Sequence, residues 1–371
     1  MKTKVKTVFI LPAYVLLSYL LSACNPLTAN QLGQNPKWAE SPKSSKESQF
    51  LNISGNKKSN SGDLQGAILN FDRAISLTPN FWKPYYNRGL AKYRMKNHQA
   101  AISDYSRAIA LKPDLTDAYY NRGVAKYEMR DRLGAIADYN KVISIDPKFI
   151  EAYQNRGYSK QELKDYQGAI ADYDRAISLN PRFAVAYDTR GSSKAALNKN
   201  QEAILDYDRA INIQPAYHPS YYNRGLSKSK LGDSRGAIAD YDRAISLNPN
   251  NSQYYGSRCF TKNILGDTKD SMVDCNQAIA LNSRDHIAYQ VRGINKQLLG
   301  DCYGAMADYD RAIAIDPSYA AAYGNRGSIK LKLGNRREAV VDLTKASELF
   351  RKQNLIKDYQ RMIKLLSQIK A

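Results

Sequence analysis

The sequence predicts an all-α solenoid, and three regularities predict it. Prolines recur every 34 residues, at Pro79, Pro113, Pro147, Pro181, Pro215, Pro249 and Pro317, with Ser283 in the one departing slot. The stretch GAIADYDRAISLNP stands at 168–181 and again at 236–249, two periods apart. Within each period apolar and small residues recur three and four apart, the spacing of one helix face. A period of this length marks a stack of similar units, and because no single unit can bury its own apolar face, neighbours must supply the missing half of the core.

The chain opens with Lys2, Lys4 and Lys6, runs through the apolar stretch Val8–Leu21 and reaches Leu21-Ser22-Ala23-Cys24. A basic start, a short apolar run and small residues before a cleavage point form a secretion signal. The run is shorter than the about 20 residues that span a bilayer. Leu-Ser-Ala-Cys resembles a bacterial lipobox, which implies removal of residues 1–23 and a diacylglyceryl group on the Cys24 sulfur. Each buried CH₂ of the acyl chains contributes about 0.8 kcal/mol, so the exported protein is expected to be held on a cell or outer membrane, facing the periplasm or the exterior. Residues 24–47 are expected to be the lipidated cysteine and a tether, since Asn25 to Glu47 is Asn, Gln, Pro, Ser and Lys with few apolar residues, a composition that favours disorder. Its reach is on the order of 25 Å.

Setting the proline at column 32 divides the array into nine units, 48–81, 82–115, 116–149, 150–183, 184–217, 218–251, 252–285, 286–319 and 320–353. Column 8 is Gly and column 20 Ala in eight units each, while column 4 is Tyr in eight and column 24 in six. Each unit therefore reads as two antiparallel helices: in unit four Gly157 and Ala169 let the backbones approach and Tyr173 fills the seam. Asp131, Asp165, Asp233, Asp267 and Asp301 stand where the second helix needs an N-cap. Gly232, Gly266, Gly300 and Gly334 stand where the first needs a left-handed stop. The proline column ends the second helix. Residues 354–371 are expected to close the stack as a capping helix, with Leu355, Tyr359, Met362, Ile363, Leu366 and Ile369 on one face.

Tyr153, Gly157, Ala169, Tyr173, Ala176 and Pro181 match columns 4, 8, 20, 24, 27 and 32 of the tetratricopeptide repeat, which the array resembles. It departs at columns 7 and 11, where Arg156 and Lys160 replace Leu and Tyr. The resemblance implies a right-handed superhelix whose concave groove is lined by the first helix of each unit. It further implies peptide contact at columns 2, 5, 9, 12 and 13, with Asn at 6 reaching the peptide backbone. Here those columns offer Tyr86, Leu90, Tyr93, Tyr120, Val124, Tyr127 and Tyr158, with Asn87, Asn121 and Asn155 alongside. The same rings also suit contact between successive first helices. Farther along, Ser229, Lys230 and Lys332 make the wall polar or basic. Acidic chaperone tails are not expected as ligands, because the family's carboxylate clamp needs Lys at column 5 and Asn at 9, where Tyr86 and Leu90 stand.

A net charge of +20 with 28 tyrosines invites a nucleic-acid reading, in which cations neutralise phosphates and rings stack on bases. The periodicity argues against it. Arg occupies column 7 in eight units and Lys column 11 in all nine, facing an Asp at column 23 in eight units. A charge left alone at a packed interface costs several kcal/mol, so these columns are expected to pair. No cofactor or catalysis is expected. His98, His218 and His286 have no ligand partners at metal spacing, and Asp172 and Asp174 point in different directions on a helix. Unit seven replaces the Gly and aromatic columns by Cys259 and Cys275, an exchange that roughly conserves volume. In an exported protein two such facing thiols are expected to form a disulfide. Cys302 has no evident partner.

These readings converge on a non-enzymatic, membrane-tethered scaffold binding protein or peptide partners, by analogy with lipoproteins that scaffold cell-wall hydrolases or act as pilotins. The alternative is a basic binder of anionic envelope polymers or lipid headgroups, using the exposed cations and the closing helix with Lys357, Arg361, Lys364 and Lys370.

Overall fold

The structure, a computed structural model, describes residues 42–370. The segment read as a secretion signal, Cys24 and most of the expected tether lie outside those residues. The described chain forms nineteen helices. Unit one holds α1 (Pro42–Asn60) and α2 (Leu64–Leu77), unit two α3 (Trp82–Arg94) and α4 (His98–Leu111), and unit three α5 (Thr116–Glu128) and α6 (Arg132–Ile145). Unit four holds α7 (Ile150–Glu162) and α8 (Tyr166–Leu179), unit five α9 (Ala184–Ala196) and α10 (Asn200–Ile213), and unit six α11 (His218–Leu231) and α12 (Ser234–Leu247). Unit seven holds α13 (Ser252–Leu265) and α14 (Thr268–Leu281), unit eight α15 (His286–Leu298) and α16 (Cys302–Ile315), and unit nine α17 (Ala320–Lys332) and α18 (Arg336–Lys352), with α19 (Ile356–Lys370) at the end. Each helix packs on the next, and each first helix also meets the first helix of the following unit. This makes one continuous solenoid.

The seam inside each unit is set by the glycine column. A Cβ on Gly157 would stand 2.6 Å from Cε1 of Tyr173, and one on Gly89 would stand 2.7 Å from Cε1 of Tyr105. The ring thus lies where any other residue's side chain would begin. Tyr105, Tyr139, Tyr173, Tyr207, Tyr241 and Tyr309 are among the most deeply buried side chains of the molecule.

Asp131, Asp165, Asp233 and Asp301 cap their helices by accepting the N–H of Gly134, Gly168, Gly236 and Gly304 at 2.7–2.9 Å. Asp267, expected to do the same, makes no side-chain cap. Its partner position holds Asp270 in place of glycine, and a Cβ at the equivalent Gly168 would fall 2.1 Å from the capping carboxylate. The four predicted glycine stops take φ of 85° to 90°, but in units two to five the same turn is made by Lys96, Arg130, Lys164 and Asn198, at φ of 60° to 65°.

At the ends two expectations shift. The first helix begins at Pro42, so residues 42–47, read as tether, are helical. Proline suits a first helical position, and Ser48, nearly two turns in, is already buried and donates to the Ala74 carbonyl at 2.9 Å. In α19, Met362, Leu365, Leu366 and Ile369 pack on Leu343, Ala346 and Phe350, whereas Ile363 is exposed. Leu365 and not Ile363 completes the buried face. Among the described residues no helix is long and apolar enough to cross a membrane.

Candidate functional site

The charged columns form a ladder through the solenoid. In unit five Arg190 on α9 grips Asp206 on α10 with two bonds, Nη2 to Oδ1 at 2.5 Å and Nε to Oδ2 at 3.0 Å. Its remaining Nη1 reaches Asp174 on α8 of unit four at 2.6 Å. Lys194 adds 2.8 Å to the other Asp206 oxygen. The same arrangement joins Arg224 to Asp240 and Asp208 and joins Arg258 to Asp274 and Asp242. Asp172 and Asp174 are thereby rungs of the ladder: Asp172 accepts from Arg156 and Lys160. Arg190 also stacks over Tyr187, its guanidinium 5.3 Å from the ring centre, so the column 4 tyrosine and the column 7 arginine support each other. These cations are spent on structure. What remains open on the second helices is column 26, with Arg107, Arg175, Arg209, Arg243 and Arg311 exposed.

The predicted aromatic wall lies on α3, α5 and α7, and the structure divides it. Asn121 Nδ2 donates to the Tyr86 hydroxyl and Asn155 Nδ2 to the Tyr120 hydroxyl, both at 2.9 Å, while Asn87 donates to Asn52. Column 6 thus ties each of these three first helices to the one before it. Tyr120 and Val124 are only 8 % and 4 % exposed, and Asn155 is buried too. Successive first helices enclose Tyr120, while Val124 and Asn155 reach the surface only in the floor of a shallow notch. Tyr86, Asn87, Leu90, Tyr93, Asn121, Tyr127 and Tyr158 stay half-open. A shallow notch gathers Val124, Tyr127, Asn155 and Tyr158 over Tyr139. Tyr127 is held in place by Arg132, whose guanidinium lies 3.9 Å from its ring centre, and burial raises its hydroxyl to about 12. The notch therefore offers neutral rings and amides at physiological pH.

Farther along, the wall is not uniformly polar. Columns 9 and 13 of units seven and eight present Phe260, half-buried, Ile264, 56 % exposed, Ile294, half-buried, and Leu298, 65 % exposed, on the adjoining helices α13 and α15. The signal was in the columns and is masked by Ser229, Lys230 and Lys332 on either side. Unit five holds another feature that periodicity did not announce. Asp188 at column 5 is 2 % exposed and takes part in no ion pair among the described residues. It accepts from Ser220 at 2.8 Å and from Asn223 at 3.2 Å. Burial pushes its carboxyl up to about 6, against those two hydrogen bonds.

In unit seven Cys259 and Cys275 are both fully buried, with Cα atoms 5.3 Å apart and sulfurs at bonding distance. A bridge closing a loop of 16 residues contributes about 3 kcal/mol. In the native protein both thiols should resist alkylation until reductant is added, and the paired Cys→Ser variant should lose the mobility shift on a non-reducing gel. Two alkylatable thiols before reduction would remove the staple. Cys302, half-buried, has no disulfide partner among the described residues. Among the described residues no group of three or more His, Cys, Asp or Glu is placed to hold a metal.

Comparison with known proteins bears on the units directly. Models of the tetratricopeptide repeat match residues 82–115, 116–149, 150–183, 218–251 and 320–353, and a further repeat model matches 55–96. Together they cover more than half of the chain. No match is found among curated proteins. Among solved structures, a tetratricopeptide repeat protein from Parabacteroides merdae is 21% identical over 67% of this chain and 98% of its own, with a TM-score of 0.54. PilF of Pseudomonas aeruginosa is 15% identical over 56% of this chain and 94% of its own, with a TM-score of 0.51. At such identities the likeness is one of fold.

Proposed function

The chain belongs to the tetratricopeptide repeat family, and on that premise we propose that it is a membrane-anchored, non-catalytic scaffold docking peptide or protein segments on the face lined by its first helices. The observation that carries this reading is the division of the side chains. The Arg, Lys and Asp columns are consumed in the ladder, whereas Tyr127, Tyr158, Phe260, Ile264 and Leu298 stay open along the first helices. Half-open rings and aliphatic groups beside amides suit an extended segment bound by apolar anchors and a few backbone hydrogen bonds. The lipobox-like Leu21-Ser22-Ala23-Cys24 supports an anchor at Cys24 and a location in the bacterial envelope.

A second reading, binding to anionic envelope polymers, draws on the open column 26 arginines and on Lys357, Arg361 and Lys364 of α19, all exposed. Salt separates the two, because exposed charges are screened within about 8–10 Å at physiological ionic strength. Partners captured from envelope extracts should survive moderate salt and fall about tenfold or more with Tyr127→Ala and Tyr158→Ala together, given the weight of buried aromatic anchors. Capture that fades steeply with salt and ignores both replacements would favour the polymer.

A further inference from the structure

In units two to nine, column 10 faces the preceding unit and is buried and uncharged, as at Ala91, Ser159, Ser227 and Ile329. Unit one has Lys57 there, exposed. Column 3, where Ala118 and Ala152 are buried, carries Phe50 at 68 % exposure, and column 6 carries Ile53 at 52 %. Because α1 starts at Pro42, Lys43 and Lys46 extend the same side and are exposed. At about 100° per residue, Lys43, Lys46, Phe50, Ile53 and Lys57 fall within an arc of about 80°. That arc is opposite Ser48, Leu51 and Gly55, which pack toward α2. The single acid of the helix, Glu47, lies off the stripe.

Another unit, or a second copy continuing the superhelix, would bury Lys57 at a column that is uncharged in all eight following units. The stripe instead has the make-up of a surface that meets lipid: a ring and a branched side chain in the middle, cations at both ends. We propose that this face of α1 lies on the anionic surface of the bilayer, Phe50 and Ile53 entering the headgroup boundary and the three lysines meeting lipid phosphates. The occupant is fixed by charge and by distance. Residues 25–41 separate Cys24 from α1, and even fully extended they span at most about 60 Å. The inference rests on the anchored reading of Cys24, and it orients the solenoid: its first unit is seated on the membrane and its groove extends away from it.

The test uses the protein as isolated from membranes, with Phe50→Trp as reporter and the unsubstituted protein as background for Trp38 and Trp82. It is reconstituted in phosphatidylcholine vesicles with or without phosphatidylglycerol, their acyl chains brominated. Emission of the introduced Trp should be quenched in the anionic vesicles, and about threefold or more weaker quenching is expected when Lys43, Lys46 and Lys57 are all changed to Glu. Mass spectrometry of the N-terminal peptide reports the acyl group separately. An acylated protein whose reporter stays unquenched overturns the seating while leaving the anchor in place. A protein without the acyl group overturns the anchor, and its seating then stands or falls on quenching when anionic vesicles are added. A reporter shift that follows protein concentration and not lipid shows a second copy on this face and overturns the proposal.

Discussion

Replacing Arg190 with alanine is expected to lower the stability of the array by about 3 kcal/mol, the range for breaking a buried ion pair. Asp206 has only 6% of its side chain exposed, so losing the bidentate partner leaves a desolvated carboxylate held by Lys194 alone. The same substitution cuts the bond to Asp174 in unit four. In a solenoid, whose stability is the sum of units and nearest-neighbour seams, the loss falls on one junction near the middle. Urea unfolding followed by circular dichroism should therefore show a lower midpoint and a less cooperative transition. Arg190→Lys should not restore the wild-type curve, because a single ammonium cannot fork onto Asp206 while reaching Asp174. A loss below about 1 kcal/mol, the value of an exposed pair, would show that the ladder is ornamental.

Asp188→Asn is expected to stabilise the protein at pH 7. The folded carboxyl is pushed up to about 6 by burial, from an ordinary 3.8. The folded state therefore holds its proton after the unfolded state has released its own. The contribution of Asp188 to stability is greatest below about pH 4, falls as pH rises toward 6 and is level above it. Each pKa unit corresponds to about 1.4 kcal/mol, so at pH 7 the charge costs up to about 3 kcal/mol. Asparagine removes that charge but meets the Asn223 amide less well, which leaves a gain of about 1–2 kcal/mol. The groups around it are common to variant and wild type, so the difference between the two isolates Asp188. Tyr207 and Tyr254 are raised by burial and by Asp188 among other causes. His218, bonded to the Tyr254 hydroxyl, is lowered by burial and slopes the opposite way. Denaturation from pH 4 to 7 should show the difference between variant and wild type growing with pH; a constant difference would mean that Asp188 titrates normally.

How much could be read in advance follows from what a column can express. Gly157 opposite Tyr173, the Arg156 to Asp172 pair and the Cys259 to Cys275 approach each concern two columns of one helix pair, so nine repetitions make them visible. Burial of Tyr120 and Val124 depends on how near successive first helices come, a distance that no column records. Lys96, Arg130, Lys164 and Asn198 take the left-handed turn without glycine because the two helices they join are already held by the seam. The missing cap at Asp267, with Asp270 three residues on where Gly134, Gly168, Gly236 and Gly304 stand in other units, is a local exception that a column average hides. Asp188 escaped notice because column 5 varies from Tyr to Gln to Gly, so a lone acid there breaks no pattern. Its significance comes from burial without a cation.

The central claim, that the first-helix face docks the partner while the charged columns hold the solenoid together, is tested most directly by site-specific photocrosslinking in cells. A photoreactive phenylalanine derivative at Tyr127 or Tyr158 should trap a discrete protein or peptide, and the same group at Arg175, on the exposed face of α8, should trap none. Equal crosslinking from both faces, or crosslinks from Arg175 alone, would contradict it.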